Sequence, residues 1–337
     1  MEILQDYPLQ NLNTFGISVN SQYFVCVNNL TQLKDVLGNE LAKSNPVLII
    51  GGGSNILFTK HYPGLIILNQ IKGIEITSEQ EGEVLISAGG GEVLQDLVDF
   101  TLYNNFGGLE NLSLIPGSVG AAPIQNIGAY GVELKDVMES LTAIELATGQ
   151  ERTFNNAECD FGYRNSIFKK SLKDKYVITK VNLRLAKEPK LNTSYGAIES
   201  LLQQKGINQP TVKDVSNAVI EIRQSKLPDP TVLGNAGSFF KNPVVDKIDY
   251  EGLKALFSDI PGYINSELVK IPAAWLIEQC GWKGKRFGNV GVHDQQPLVL
   301  VNYGNGEGDE IKNLAEEIKM SVADKFGIEL EAEIRII

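Results

Sequence analysis

Apolar residues follow two periods along the chain, and each period predicts one kind of element. Apolar or alternating runs predict strands over 23–27, 47–50, 65–68, 74–77, 84–88, 141–146 and 177–185. Apolar residues spaced by three and four predict helices over 30–37, 91–105, 194–202, 211–226, 272–280 and 307–326. We therefore expect a fold that contains both helices and strands.

Residues that favour helix ends sharpen three of these predictions. Thr211, with Asp214 three residues later, has the capping-box pattern at the start of one helix. Pro272 suits the first turn of the next helix, and Gly281 suits its end. Gly327 is expected to stop the last long helix.

The last third of the chain contains a break and a closing strand. The segment LPDPTVLGNAG carries Pro228 and Pro230, and we interpret it as a domain boundary. The final residues, LEAEIRII, predict a strand in which Glu331, Glu333 and Arg335 share one face. That face is usually turned to solvent, but a carboxylate there can also point into a cleft.

Neither period extends through residues 109–131, LENLSLIPGSVGAAPIQNIGAYG. No charged residue occurs between Asn111 and Gly131, and the stretch is too polar to span a membrane. Its glycines allow close backbone approach, so its N–H and C=O groups can line a flat, polar, partly anionic ligand. The alternative is a buried irregular loop, which the pattern alone favours. Such a loop must still satisfy its backbone groups.

A second glycine-rich turn follows the strand predicted over 47–50. Gly51, Gly52 and Gly53 resemble a phosphate cradle, although a plain tight turn is the alternative. The dinucleotide fingerprint is absent because Ile56 stands where its last glycine is required. A Rossmann fold is therefore not supported.

Composition and charge exclude several classes of function. The chain has 337 residues, enough for two or three domains with large cores. Its net charge of −11 argues against general binding of nucleic acid or anionic membranes. His61 and His293 are the only histidines, so neither a histidine-rich metal site nor a Ser-His-Asp triad is expected. Proton transfer then falls to Ser, Tyr, Lys or Glu.

The cysteines and the N-terminal sequence predict a cytoplasmic protein. Cys26, Cys159 and Cys280 are odd in number and far apart, and MEILQDYPLQ does not resemble a signal peptide. We expect a reducing compartment.

Three further groups of residues have chemistry of interest. Arg164 lies in a polar turn and is either a ligand for a carboxylate or phosphate, or an ordinary surface arginine. Ser238 and Lys241 lie beside glycines and two phenylalanines. The basic cluster at 283–286 is more often a solvated face than a ligand site.

Motifs along nearly the whole chain resemble, in the same order, those of the UDP-N-acetylenolpyruvoylglucosamine reductase (MurB) family. These motifs are NTFGI, IIGGGSN, ENLSLIPGSVGAAPIQNIGAYG, YRNSIF, KLPDP, GNAGSFFKNP, AAWLIEQCGWKG and LEAEIR. The connector LNTSYG resembles the tyrosine-bearing loop of the longer type in this family.

The resemblance implies an α+β fold of the vanillyl-alcohol-oxidase (PCMH) type. Two FAD-binding subdomains are expected at 1–72 and 73–226, and a third, substrate-binding α+β domain at 227–328. Residues 329–337 are expected to return to the first subdomain. The implied enzyme is a cytoplasmic monomer of peptidoglycan precursor synthesis, with no nucleic-acid, membrane or metal partner.

The resemblance also implies a reaction and a set of site residues. Hydride would pass from NADPH to FAD and on to the enolpyruvyl ether of UDP-N-acetylglucosamine. Arg164 and Glu333 would stabilise the substrate carboxylate, and Ser238 would donate the proton, activated by Lys226 or a water molecule. The expected FAD contacts are Gly51, Gly52, Gly53, Ser54, Asn55, Pro116, Gly117, Ser118, Gly120, Ala121, Gln125, Asn126, Gly128, Ala129 and Gly131. The expected substrate contacts are Tyr195, Arg223, Lys226, Asn242 and Gln296.

Two other functions are alternatives to this one. A flavin oxidase of the same superfamily often tethers its flavin through His or Cys, and neither residue occurs in the two cofactor segments. A non-catalytic nucleotide-sugar sensor is expected to lack Arg164, Ser238 or Glu333, and all three are present.

Overall fold

The structure is a computed structural model that describes residues 2–337. The chain forms two compact units, and the polypeptide passes between them several times. The first unit contains residues 2–7, Ser21–Gly52 and Pro63–Ser225. The second unit contains Pro8–Asn20, Gly53–Tyr62 and Lys226–Ile337. The division into three domains stays a prediction.

The described residues form twenty strands and eight helices. The strands are β1 (Leu4–Pro8), β2 (Asn20–Val27), β3 (Val47–Ile50), β4 (Ile56–Leu57), β5 (Tyr62–Asn69), β6 (Ile74–Glu79), β7 (Glu83–Gly89), β8 (Gly128–Ala129), β9 (Val132–Glu133), β10 (Met138–Glu145), β11 (Glu151–Asn155), β12 (Tyr176–Ala186), β13 (Gly234–Ser238), β14 (Val244–Asp246), β15 (Tyr263–Asn265), β16 (Leu268–Lys270), β17 (Arg286–Phe287), β18 (Val290–Val292), β19 (Val299–Asn302) and β20 (Arg335–Ile336). The helices are α1 (Leu30–Gly38), α2 (Glu40–Ser44), α3 (Leu94–Tyr103), α4 (Gly196–Gln204), α5 (Val212–Gln224), α6 (Lys247–Leu256), α7 (Ala273–Gln279) and α8 (Gly308–Phe326).

Two larger sheets form the framework of the first unit. One has the strand order β1-β2-β5-β3, with β3 and β5 parallel. The other is antiparallel, in the order β11-β10-β12-β7-β6. Apolar residues of the second sheet, among them Ile86, Leu141 and Leu183, are buried and pack with Leu97 and Val98 of α3. The apolar patterns predicted α3 and every strand of the two sheets except β1 and β11, whose residues are mostly exposed.

Helices α4 and α5 form a smaller core within the first unit. Ile198 and Leu202 of α4 pack with Val215 and Val219 of α5. The predicted capping box at Thr211 is confirmed, because its hydroxyl and the Asp214 carboxylate each accept a backbone N–H of the other residue. This box determines where α5 begins.

The second unit is built on a four-stranded sheet with the order β13-β19-β18-β17. The four residues of β19 are all buried, and α8 packs against β18 and β19. Helix α8 ends at Gly327, which has a φ of 66° and so adopts the left-handed conformation predicted for a glycine cap. Helix α6 and the sheet β14-β16-β15 complete this unit.

The prediction of a regular closing strand over 330–337 is wrong for most of its length. Only Arg335 and Ile336 form a strand, which pairs in parallel with β4. Ala332 instead makes an isolated bridge with Phe240. The backbone of this segment bonds first to Phe239 and Lys241 and then to β4, so no single partner strand extends the pairing.

Among residues 2–337, no helix combines the length and the apolar character that crossing a membrane requires.

Candidate active site

Two glycine turns approach each other closely in the first unit. A Cβ added to Gly52 would lie 3.3 Å from the Cα of Gly117, and one added to Gly51 would lie 2.1 Å from Ser118 Oγ. A larger residue at either position would therefore displace the facing turn. The sequence predicted both segments as cofactor contacts, and the first unit brings these four residues together.

The segment after Ser118 is fixed to the neighbouring sheet. The amide of Gly120 donates to Gly90 O at 2.8 Å, and a Cβ at Gly120 would lie 2.8 Å from Ile178 O. A 3₁₀ turn over Val119–Gln125 then leads to Asn126. The glycine at position 120 is thus required by the close backbone approach.

Asn126 is fully buried and organises the turn around it. Its Nδ2 donates to Glu133 Oε2 at 2.9 Å and to Gly162 O at 3.1 Å. Its Oδ1 accepts from the Lys135 amide at 3.0 Å. The Asn126 side chain, which was predicted as a cofactor contact, therefore forms hydrogen bonds that hold protein loops together.

The turn that carries Arg164 is attached to the same segment. Arg164 Nη2 donates to Gly128 O at 2.7 Å, and Ser166 Oγ donates to Ile124 O at 2.6 Å. With the Asn126 bond to Gly162, these contacts place the guanidinium next to the charge-free stretch. This proximity, between residues 36 apart in the chain, is a product of the fold.

Positive φ angles concentrate in these loops. Asn126, Tyr130 and Arg164 have φ values of 45°, 50° and 51°, in the left-handed region that disfavours side chains. Such strain is often found at functional sites, where the surrounding contacts over-determine the backbone. Here the hydrogen bonds to Ile124, Gly128 and Gly162 supply those contacts.

Tyr130, Tyr195 and Arg223 form a cluster in the first unit. The two tyrosine rings meet edge to face with centroids 5.1 Å apart. Burial raises the pKa of Tyr130, partly offset by the charge of Arg223 beside it. Burial also lowers the pKa of Arg223, whose Nε is buried and has no hydrogen-bond partner among residues 2–337. A buried guanidinium with an unused donor is suited to an anionic ligand.

Ser238 lies on an irregularity of β13 in the second unit. Pairing with β19 shifts register between Asn235 and Ser238, and Gly237 between them has a φ of 69°. Asn235 stabilises this bulge, since its Oδ1 accepts the Gly237 amide at 2.9 Å and its Nδ2 donates to Leu233 O at 2.8 Å. Bulges commonly redirect a side chain next to an active site.

Glu333 is held beside Ser238 by backbone pairing within the second unit. The Glu333 amide donates to Phe239 O at 2.8 Å, and the Lys241 amide donates to Glu331 O at 2.9 Å. Glu333 is half-buried. Two of the three predicted catalytic residues, Ser238 and Glu333, are thus neighbours, and Arg164 belongs to the first unit.

In two predicted substrate contacts, Asn242 and Gln296, the side-chain amide oxygen accepts a hydrogen bond from the protein backbone. Asn242 Oδ1 accepts from the Ala273 amide at 2.9 Å, at the start of α7. Gln296 Oε1 accepts from the Leu298 amide at 3.4 Å. Lys226 is exposed at the start of the second unit's last segment.

Comparison with known proteins assigns the chain to a family. The FAD binding domain model matches residues 21–155, and the model of the UDP-N-acetylenolpyruvoylglucosamine reductase C-terminal domain matches residues 229–337. A UDP-N-acetylenolpyruvoylglucosamine reductase from Flavobacterium johnsoniae is 52% identical over 339 residues, covering 100% of both chains. The chain belongs to the UDP-N-acetylenolpyruvoylglucosamine reductase family. The predictions of this family, of an oxidoreductase and of FAD as cofactor are confirmed.

Two solved structures support the predicted fold class. The UDP-N-acetylenolpyruvylglucosamine reductase (MurB) from Thermus caldophilus superposes with a TM-score of 0.69 at 22% identity, covering 99% of this chain and 98% of that one. A p-cresol methylhydroxylase superposes with a TM-score of 0.51 at 11% identity, covering 97% of this chain and 84% of that one. The PCMH-type fold expected of this reductase family is therefore confirmed.

The glycine turns of this reductase-family chain fit an FAD-type cofactor. Among residues 2–337, the amides of Gly52, Gly117 and Ser118 donate to no acceptor. Backbone donors left free at one place form a ready anion site, and the absence of side chains lets a ligand approach them. Their donors match the diphosphate that FAD carries.

Sequence reasoning missed two residues of this site. Tyr130 lies in the charge-free stretch, but no sequence pattern predicts that it packs on Tyr195 and adjoins Arg223. Asn111 stands at the start of that stretch. The two acceptors of Asn111, Tyr130 O and Asn192 O, are 19 and 81 residues away in the sequence. No local sequence pattern therefore predicts these contacts.

Proposed function

We propose that the chain reduces the enolpyruvyl ether of UDP-N-acetylenolpyruvoylglucosamine with NADPH, forming the peptidoglycan precursor UDP-N-acetylmuramate. The observation that carries this proposal is the Ser238 hydroxyl. It is half-buried on a bulge beside Glu333 and has no hydrogen-bond partner among residues 2–337. A hydroxyl held in position without a structural partner is suited to proton transfer.

FAD, when bound, supplies hydride transfer from NADPH to the enolpyruvyl group. The backbone amides of Gly52, Gly117 and Ser118 would hold its diphosphate. The remaining predicted contacts in 51–55 and 116–131 would line the cofactor with backbone and small side chains. We propose that these contacts are non-covalent.

The catalytic residues divide the rest of the reaction between them. Ser238 delivers the proton to the carbon next to the one that receives hydride, so the double bond becomes a single bond and NADPH becomes NADP⁺. Arg164, and Glu333 if its carboxyl group is protonated, stabilise the negative charge that develops on the carboxylate during this addition. Lys226 or a water molecule then returns a proton to Ser238.

Five residues bind the UDP-sugar in this proposal. Tyr195 and Arg223 donate to the diphosphate, and Lys226 adds a positive charge. Asn242 and Gln296 each use their side-chain oxygen internally, which leaves the amide NH₂ to donate to the ligand. An oriented donor costs less entropy on binding than a free one.

We also propose that the enzyme works as a cytoplasmic monomer. All three of its cysteines, Cys26, Cys159 and Cys280, are unpaired, as suits a reducing compartment.

One spectroscopic experiment tests the proposed reaction. The purified protein is made anaerobic, reduced with NADPH and then mixed with UDP-N-acetylenolpyruvoylglucosamine, while the visible absorbance of the flavin is followed. We expect bleaching with NADPH and recovery with the enolpyruvyl substrate. Recovery with oxygen alone would instead indicate an oxidase, and failure to bleach would indicate a sensor.

The proposed non-covalent attachment has a separate test. Both histidines are engaged locally, since His61 Nδ1 accepts from the Asn20 amide at 2.8 Å and His293 Nδ1 from the Gln296 amide at 3.2 Å. Acid precipitation should therefore release yellow flavin into the supernatant. A yellow pellet over a colourless supernatant would contradict this attachment.

A further inference from the structure

Asn111 is a buried amide that joins two loops of the first unit. Its side chain is fully buried, and its Nδ2 donates to Tyr130 O at 3.0 Å and to Asn192 O at 2.9 Å. Its Oδ1 is buried and has no partner among residues 2–337. The Asn111 side chain therefore acts through its Nδ2, and an apolar residue in its place would leave both carbonyls without this donor.

Asn192 completes a reciprocal arrangement with the same stretch. Its Nδ2 donates to Gly131 O at 3.0 Å, and its Oδ1 accepts from Ser194 Oγ at 2.8 Å. Gly131 has a φ of 81°, and a Cβ there would lie 2.9 Å from Asn192 Nδ2. The glycine is needed both for this backbone conformation and for the approach of Asn192. We name Asn111 and Asn192 the amide clamp.

The amide clamp sets the geometry of the two tyrosines. Asn111 donates to Tyr130 O and to the carbonyl of Asn192, three residues before Tyr195. The rings of Tyr130 and Tyr195 meet at 86°. The same turn also contacts α5, which carries Arg223, because Ser113 Oγ lies 2.8 Å from Ser216 Oγ in a buried pair. Among residues 2–337, Asn111 forms no hydrogen bond with a side chain that is proposed to bind the ligand.

We propose that Asn111 is a positioning residue for UDP-sugar binding, acting through Asn192 to hold Tyr195 against Tyr130. This inference rests on the proposed function of Tyr195. It adds a residue that acts on ligand affinity from within the core. The clamp holds the loop in its binding geometry before the ligand arrives. Without the clamp, the loop must become ordered on binding, and this ordering lowers the affinity for the ligand.

The test measures binding without turnover. UDP-N-acetylenolpyruvoylglucosamine is titrated calorimetrically into the oxidised holoenzyme without NADPH, using wild type, Asn111→Leu, Asn192→Ala, Tyr195→Phe and the double variant Asn111→Leu/Tyr195→Phe. Two hydrogen bonds of ordinary strength correspond to a loss of affinity of about tenfold or more for Asn111→Leu. The fold-loss of affinity in the double variant should be smaller than the product of the two single-variant fold-losses, because both substitutions act on the same contact.

A matched control separates positioning from loss of stability. Asn156 also bridges two carbonyls of the first unit, Lys135 O and Met138 O, at 2.7 Å each. Asn156→Leu should lower the thermal midpoint while leaving the Kd near that of wild type. Flavin reduction by NADPH should keep its wild-type rate in the clamp variants.

The outcomes distinguish this inference from the proposed function. If wild type does not bind the ligand, the proposed function fails and the inference with it. If wild type binds and the two clamp variants bind equally well, or Asn156→Leu weakens binding as much, the positioning role is wrong. Should Asn111→Leu fail to fold, Asn192→Ala alone decides, since its half-buried side chain can be removed at lower cost.

Discussion

The candidate residues of the two units are positioned by different physical means. In the first unit, Arg164 and Tyr130 lie in irregular loops at positive φ, held by side-chain bonds such as those of Asn126 and Asn111. In the second unit, Ser238 lies on a strand and is placed by backbone pairing and one bulge. The loops are held mainly by buried polar side chains, whereas Ser238 is held by strand pairing together with the Asn235 side chain at its bulge.

This difference suggests a division of labour. In the proposed reaction, strand and bulge hold the Ser238 hydroxyl within the small tolerance that proton transfer requires. Loops with buried amides shape the larger surface that is proposed to bind cofactor and ligand. The following predictions test the division, beginning with the largest expected effect.

Ser238→Ala should separate chemistry from binding. The variant should bind FAD and bleach with NADPH at the wild-type rate, then reoxidise with the enolpyruvyl substrate about 10²–10⁴ more slowly. That loss is equivalent to about 3–5 kcal/mol of transition-state stabilisation. Stopped-flow absorbance measures both half-reactions.

The control for this variant is Ser258→Ala, an exposed serine of the same unit whose hydroxyl bonds to Asp259. It should leave both half-reactions unchanged. Wild-type reoxidation in Ser238→Ala would reject the assignment, and Tyr195 or Lys226 would be tested next.

Gly120→Ala should disturb the binding loops of the first unit. The new methyl would lie 2.8 Å from Ile178 O and 2.9 Å from Gly90 O, which are backbone atoms of fixed position. Overpacking of this kind costs about 1–3 kcal/mol, and we expect both a lower thermal midpoint and a lower ratio of flavin to protein absorbance.

Gly252→Ala provides the comparison for that result. Gly252 lies within α6, has no atom within 4 Å of its added Cβ and is exposed. Alanine there should stabilise the protein by about 0.4–1 kcal/mol through the unfolded chain. If Gly120→Ala behaves like Gly252→Ala, the close approach at position 120 is not important for the cofactor.

Tyr195→Phe should weaken substrate binding while sparing flavin reduction. Loss of one hydrogen bond to a charged phosphate corresponds to about a tenfold rise in Kd. The substitution keeps the ring that packs on Tyr130, so stability should change little. Tyr103→Phe, at an 81% exposed position of the same unit, is the matched control. An unchanged Kd would make Tyr195 an ordinary packed aromatic.

Thr211→Ala should give the smallest effect, limited to stability. Removing the cap of α5 costs about 1 kcal/mol and should not alter the flavin half-reactions. The hydrogen bonds from Thr211 hold the pKa of Asp214 below its usual value. The folded state therefore gains stability from this carboxylate at neutral pH and loses it as the pH falls through its folded-state pKa.

The difference in unfolding free energy between wild type and Thr211→Ala should accordingly shrink in acid, below about pH 4. Urea denaturation at several pH values measures it. A constant difference down to low pH would show that the hydroxyl acts without the carboxylate.

Local patterns predicted the elements whose partners lie within a few residues. The capping box of Thr211 and Asp214 and the glycine end of α8 depend on contacts inside one or two turns. The strands β7, β10 and β12 could be located because each contains several buried apolar residues and pairs with neighbouring strands. The closing strand was predicted wrongly because its backbone bonds to two separate segments, one at Phe239 and Lys241 and the other at β4.

The sequence motifs alone identify the family and the cofactor class, because these motifs are contiguous and specific. They also indicate candidate residues, although not Tyr130 or Asn111. Which residues meet depends on the tertiary structure. Asn111 reaches Asn192, 81 residues away, and Arg164 reaches Gly128, 36 residues away, through buried side chains. Such contacts follow from the packing of whole elements, which no local period encodes.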